Sequence, residues 1–424
     1  MTSLTARAEA ILTQAKKLDA FLEGHGLPYP SFDVDPLDGL PAEMQDLRSS
    51  LANASNDLRK LMRGAVMQTI DVAMSWTDAV PLQVIYHYKL ASAVPLEGDA
   101  SYDEISKFSG LEPNLCRRFI RASIGSNIFD EDVKTGRVFH TASSRALVTD
   151  KQLYDAVGFQ LEEVAPAALK ISKCWDTFGQ DVAEQTKSAF SLENSTDLAI
   201  YDLFAVELER GRRFGSAMGF YTRGDSWDMR HLTAAYDWKA SDFDYPGSLM
   251  VDVGGGHGQI SYFLARETKH LKFLVQDLPK VVEVAKNQVP EDLKDRVEFA
   301  AHSFFERQPE RDRAPVAFFL RFITHNWSDK YCIKILQALR SAMQPGSRIL
   351  IYEYILENGP VKDLSTRYGF QADIIMCALY NALERRRVDF ERLLEEADSR
   401  FELSAVRRPP GNTQICIVEI KWRG

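Results

Sequence analysis

The sequence predicts an α/β fold: a doubly wound, mostly parallel sheet over residues 241–424, preceded by a helical region that includes a winged-helix-like module. Three observations carry this. Apolar runs at 249–253, 271–275, 296–300, 315–320 and 348–353 alternate with helical patterns, as successive β-α-β units do. The first run ends in Gly254-Gly255-Gly256-His257-Gly258 and passes at once into a helical pattern at 260–266. Two further runs, 401–406 and 413–420, supply an antiparallel end.

Four segments follow in chain order. Residues 1–64 read as a helical arm: apolar residues recur at helical spacing over 4–23, a connector rich in proline, glycine and aspartate fills 24–41, and an amphipathic pattern covers 42–63. Residues 65–150 read as a winged-helix-like dimerisation domain. Its first part, 65–94, is apolar and helical with a break expected at Pro81. A capping box of Ser101 and Glu104 then opens a short helix, Gly110 turns the chain, 114–123 forms a second helix, and 128–133 pairs with 138–141 as a hairpin. Such a module binds DNA in some proteins and forms a dimer contact or substrate wall in others. The expected recognition helix offers only Arg117, Arg118 and Arg121. Residues 151–240 are helical and rich in aromatics, and read as a linker and pocket region. Residues 241–424 are the segment of alternating strands and helices.

Composition narrows the partners. A chain of 424 residues can bury a large core. A net charge of −9 argues against a broad nucleic-acid-binding face. Cys116, Cys174, Cys332, Cys377 and Cys416 are scattered, with no C-x-x-C pair, which argues against structural zinc and disulfides and suits a reducing, cytoplasmic setting. No apolar h-region opens the chain, and no apolar run reaches membrane-spanning length. The expectation is therefore no metal, no membrane and no nucleic acid.

The glycine loop carries the chemistry. Glycines serve where the backbone turns with positive φ and where a ligand approaches the main chain closely. The next strand ends at Asp277, and a carboxylate about 20 residues past such a loop commonly grips the two hydroxyls of a ribose. The spacing Gly254-x-Gly256-x-Gly258 is one residue shorter than a pyrophosphate-binding fingerprint. A nucleoside without a phosphate fits better, and S-adenosylmethionine is the candidate cofactor. A second site element is Phe318–Asp329, an apolar strand that runs into His325, where open α/β sheets place reactive groups. Histidine titrates near neutrality and suits a general base. Glu353 closes the following strand and Glu384 lies between two helical segments. Either carboxylate could hold the other imidazole nitrogen. The Arg385–Arg387 run reads as a solvated face.

These residues, in this order, resemble the S-adenosylmethionine-dependent O-methyltransferases of the plant caffeate and flavonoid type, in particular their fungal secondary-metabolism branch. The resemblance spans roughly residues 65–420 and rests on Val251–Gly258, Gln276–Pro279, Leu320–Asp329 and Glu384-Arg385 before Phe390. It implies a Rossmann-like catalytic domain and a homodimer formed through the N-terminal domain. It implies His325 as base with Glu353 and Glu384 as flanking acids. Gly254, Gly256 and Asp277 would contact the cofactor, with Leu278, Ser303 and Phe304 about the adenine, Arg321 on the adenine side and Thr222 holding the methionine carboxylate. Phe214, Met218, Asn326 and Met376 would line the acceptor site. Two departures stand out: Ser303 replaces an acidic residue expected for the adenine amino group, and Asn326 follows His325 where aspartate is commoner.

The implied reaction is methyl transfer to a phenolic or enolic hydroxyl. A phenol with a pKa of about 10 and an imidazole near 6.5 differ by about 5 kcal/mol in proton transfer, tolerable if deprotonation accompanies attack. The alternative is a non-methylating member of the same fold, a pericyclase or dehydratase, in which the base histidine is often replaced.

Overall fold

Polar caps set where the N-terminal helices begin. Ser3 Oγ accepts the Ala6 N–H at 3.1 Å ahead of helix Leu4–Gly24. Ser101 Oγ accepts the Glu104 N–H at 3.2 Å ahead of helix Tyr102–Ser109, and the Glu104 carboxylate returns to the Ser101 N–H at 2.7 Å, the capping box read from the sequence. The computed structural model describes all residues except 1, 38–39, 224–226, 360–363, 411–412 and 414. The chain divides into two units, residues 1–166 with 201–225, and residues 167–200 with 226–424.

In the first unit, helix Ala42–Ala73 is interrupted at Gly64, where φ is +72°, close to the end expected at 63. The break expected at Pro81 does not occur. Helix Trp76–His87 runs through that proline, whose ring is buried and whose missing N–H removes one bond near the helix start. Helix Pro113–Ile124 follows the Gly110 turn. Strands β1 (Asp99–Ala100), β2 (Phe129–Glu131) and β3 (Val138–His140) form an antiparallel sheet in the order β1-β3-β2. Ile85, Leu90, Ile105, Cys116, Ile120, Phe129 and Val138 make its core. Buried carboxylates then bind helix Lys151–Phe159 and the π-helical turn Gln160–Val164 to helix Leu208–Phe220. Asp155 pairs with Lys151 at 2.8 Å and Arg212 at 2.9 Å, and Glu163 with Arg210 at 2.5 Å and with Arg213. Phe159, Tyr201 and Phe204 surround Phe214 with ring centroids 5.4–5.8 Å away.

The second unit holds the large sheet. Its strands are β4 (Leu249–Val253), β5 (Lys272–Asp277), β6 (Val297–Ala301), β7 (Ala317–Arg321), β8 (Arg348–Leu356), β9 (Arg385–Arg386), β10 (Phe401–Arg407) and β11 (Ile415–Trp422). The order is β10-β11-β8-β7-β4-β5-β6, with β9 paired to the end of β8. β6, β5, β4, β7 and β8 are mutually parallel, whereas β11 runs antiparallel to both β8 and β10. The central strands are apolar on both faces because helices cover both. Val251, Val253, Phe318 and Leu320 pack on one side, Met250, Ala317 and Phe319 on the other, none more than 1% exposed. The winding reverses between β4 and β7. Such a switch point opens a crevice at the carboxyl ends of the strands, where ligands bind. Among the described residues no helix is long and apolar enough to cross a membrane.

Candidate active site

The loop after β4 turns low over the sheet. Gly254 has φ +69°, and a Cβ there would stand 2.6 Å from Ile323 Cδ1 and 3.7 Å from Phe304. Gly256, with φ +58°, has open space instead, and its N–H donates to Asp277 Oδ2 at 2.9 Å. Asp277 Oδ1 accepts the Leu278 N–H at 2.7 Å. Burial pushes the Asp277 carboxyl above its usual range against these bonds. Beneath the loop, Asp252 accepts Ser261 Oγ–H at 2.6 Å, and its burial raises the carboxyl to about 6. The loop therefore presents bare backbone beside a carboxylate with acceptor capacity.

β7 delivers the second element. At its end Phe322 takes φ +53°, a conformation costly for a residue with a side chain. The chain then forms a single 3-10 turn, Thr324–Asn326. Glu353, from the adjacent β8, accepts the N–H groups of Ile323 at 2.9 Å, Thr324 at 2.6 Å and His325 at 3.3 Å, and the Thr324 hydroxyl at 2.5 Å. The buried imidazole of His325 places Nδ1 2.7 Å from Glu384 Oε1 and stacks on Phe322 at 5.2 Å. Burial works to lower the pKa of the ring, but the charge and hydrogen bond of Glu384 together with the charge of Glu353 outweigh it, so the imidazole titrates above its ordinary value. The glycine loop and this turn follow the two strands that flank the switch point.

A family model described as the O-methyltransferase domain matches residues 223–400. The chlorophenol O-methyltransferase of Trichoderma longibrachiatum is 34% identical to this chain over 424 residues, covering 98% of the chain and 89% of that protein. The chain belongs to the O-methyltransferase family. Its fold agrees with OxaC, whose structure in complex with sinefungin and meleagrin superposes with a TM-score of 0.76 at 20% identity, covering 97% of this chain and 99% of that one. LepI in complex with S-adenosylmethionine gives 0.75 at 17% identity, covering 98% and 100%. The methyl donor of this O-methyltransferase is S-adenosylmethionine. The residues present fit it: bare backbone at Gly256 with open space beside it, and a carboxylate at Asp277 able to accept from hydroxyl groups.

The remaining residues that the sequence assigns to the site fall as follows. Ser303 and Phe304 lie just past β6, and Phe304 packs beside Trp327 with centroids 5.9 Å apart. Leu278 is 56% exposed beside Asp277. Arg321 ends β7, two strands from Asp277. Its guanidinium lies 4.5 Å over the Phe322 ring, in the field of Asp252 and Tyr352. Asn326 is buried, and its amide donates to Phe322 O at 2.8 Å. Met376 is buried on helix Leu364–Tyr380. Phe214, Met218 and Thr222 belong to the other unit, where Thr222 Oγ1 donates to Gly219 O at 2.7 Å.

Sequence reasoning missed three groups. Arg385 is not on a solvated face. It is 1% exposed, whereas Arg386 and Arg387 are exposed, and its guanidinium serves Thr324 O, Trp327 O and Asp329. Gln185 is buried and donates to Asn326 O at 2.6 Å. The positive φ of Phe322 has no sequence signal, because neither glycine nor asparagine, the residues that favour that region, stands there.

Proposed function

We propose that this O-methyltransferase methylates a phenolic or enolic hydroxyl of a small molecule, with His325 as general base. The observation that carries the reading is the contact of His325 Nδ1 with Glu384. A ring that donates Nδ1–H to a carboxylate keeps the lone pair on Nε2, the nitrogen left to take a proton from the acceptor. Its raised pKa narrows the gap to a phenol at about 10, and so lowers the cost of proton transfer. Bound S-adenosylmethionine supplies an electrophilic methyl group. Asp277 is assigned to the ribose hydroxyls, Gly254 and Gly256 to close main-chain approach, Leu278 and Phe304 to the adenine faces, and Ser303 to the adenine amino group. Arg321 and Thr222 are assigned to the remainder of the cofactor, and Phe214, Met218, Asn326 and Met376 to the acceptor. Alignment of the hydroxyl with the methyl group is the larger share of the acceleration.

A homodimer through the first 150 residues is part of this reading. Beyond the Gly64 break Val66, Ile70 and Met74 recur four apart with Met67 beside them, and all are exposed, which supports an apolar face that a second copy covers. The five free cysteines, four of them buried, suit the cytoplasm.

The test is incubation with S-adenosylmethionine and a panel of phenols, a chlorophenol among them. Equimolar S-adenosylhomocysteine and aryl methyl ether are expected. An acceptor consumed with no S-adenosylhomocysteine released would replace this reading with the non-methylating one.

A further inference from the structure

The turn that carries His325 is only three residues long, so no helix satisfies its backbone. Its N–H side is taken up by the Glu353 carboxylate. On its carbonyl side one guanidinium bridges two oxygens, beside weaker donation from the Cys332 thiol to the same two, and bonds from the Trp327 N–H to Thr324 O and from Gln185 to Asn326 O. Arg385 Nη1 donates to Thr324 O at 2.8 Å, and Nη2 donates to Trp327 O at 2.9 Å. The same group is anchored from behind by Asp329 Oδ1, at 2.7 Å from Nη2 and 3.0 Å from Nε. Asp329 Oδ2 is held in turn by Arg392 at 2.8 Å. Arg385 is the chain neighbour of Glu384, and β9 ties it to β8 through the pair Ile355↔Arg385, two residues beyond Glu353.

We propose that Arg385 is a positioning residue for methyl transfer: it fixes the height of the 324–327 backbone against Glu384, so that the imidazole and its carboxylate move as one body. This rests on the assignment of His325 as base. A planar fork that binds two carbonyls and a carboxylate at once has no equivalent in lysine, whose ammonium is a point charge on a flexible stem. Misplacement of a reacting group by about 1 Å costs on the order of 100-fold in rate. Arg385 also bears on the ring's charge. The charged groups that face His325 are Glu384, Glu353 and Arg385, with Asp373 acting on Glu384, whose N–H it accepts at 2.9 Å. Arg385 is the cation among them and holds the imidazole pKa down against the two carboxylates.

The experiment pairs turnover of a chlorophenol with NMR titration of carbon-13-labelled histidine, the His325 signal being assigned by its loss in His325→Gln. Arg385→Lys is expected to lower kcat about 100-fold, with binding of S-adenosylmethionine retained and the His325 pKa near that of the wild type. Arg385→Met is expected to lower kcat similarly and to raise the His325 pKa. Asp329→Asn leaves Arg385 in place but loosens its anchor. It is expected to fold, bind the cofactor and lose part of the rate. Wild-type kcat in Arg385→Lys would overturn the proposal. If both Arg385 variants fail to fold, wild-type kcat in Asp329→Asn overturns it. Failure of the base assignment would read differently, as undiminished turnover in His325→Gln, while the titration would still report on Arg385.

Discussion

His325 Nδ1 and Glu384 Oε1 stand 2.7 Å apart, with the two side chains 10% and 0% exposed. Burial of the ring opposes its protonation, Glu384 and then Glu353 favour it, and Arg385 opposes it. The net shift is upward. A general base works deprotonated, so the acidic limb of kcat is expected above pH 6.5 or so, the ordinary value for histidine. Replacing Glu384 by glutamine keeps an acceptor for Nδ1–H but removes the charge, so the limb moves to lower pH. His325→Gln is expected to lower kcat by about 10²–10⁴-fold with cofactor binding intact. A limb that stays put in Glu384→Gln would separate that carboxylate from the titrating group.

Asp277 gives a second, independent prediction. A carboxylate that accepts from two hydroxyls forms charge-assisted bonds worth about 1.5–3 kcal/mol each. Asp277→Ala should therefore weaken S-adenosylmethionine by roughly 10²-fold or more, at about 1.4 kcal/mol per tenfold. Asp277→Asn, which keeps one acceptor oxygen, should lose less. Calorimetry with the cofactor decides, and unchanged affinity in the alanine variant would place the ribose elsewhere.

The strands could be read from sequence because two-sided burial leaves continuous apolar runs. The runs at 249–253 and 348–353 match β4 and the greater part of β8. The glycine loop could be read because positive φ and a close Ile323 select glycine at 254. The partner of Glu353 could not. A carboxylate at a strand end looks the same whether it meets an imidazole or a row of backbone N–H groups, and only the neighbouring turn decides. Arg385 was hidden for a similar reason. Three consecutive arginines read as solvated until β9 turns the first one inward. Pro81 marks the limit of local rules, since one lost N–H bond is outweighed by the burial of its helix.

The two glycines of the loop should respond differently to alanine. At Gly256 the cost to the fold is the left-handed backbone alone, about 1–2 kcal/mol, because the space beside it is open. At Gly254 the same cost is joined by a methyl group 2.6 Å from Ile323 Cδ1, and Ile323 also belongs to the turn held by Glu353. Gly254→Ala should thus lower Tm more than Gly256→Ala and lower kcat by displacing the turn, whereas Gly256→Ala should chiefly weaken the cofactor. Equal effects on Tm and kcat would mean that Ile323 simply rotates away.

Glu353 and Glu384 were equivalent as flanking acids in the sequence, and their environments make them separable by experiment. Glu353 spends its oxygens on three backbone N–H groups and the Thr324 hydroxyl. Glutamine there can keep its oxygen on the three N–H groups, which all meet Oε1, but it loses the charge that strengthens them and makes the Thr324 hydroxyl turn to accept from its NH2, at about 0.5–1.5 kcal/mol. The loss falls on the fold of the turn, so Tm should drop and kcat with it, while cofactor affinity holds. The ring feels Glu353 only through space, so the acidic limb should move down less than in Glu384→Gln. The two pH profiles, measured side by side with the same chlorophenol, settle the division of labour. A larger shift in Glu353→Gln than in Glu384→Gln would make Glu353 the dominant partner of the imidazole charge.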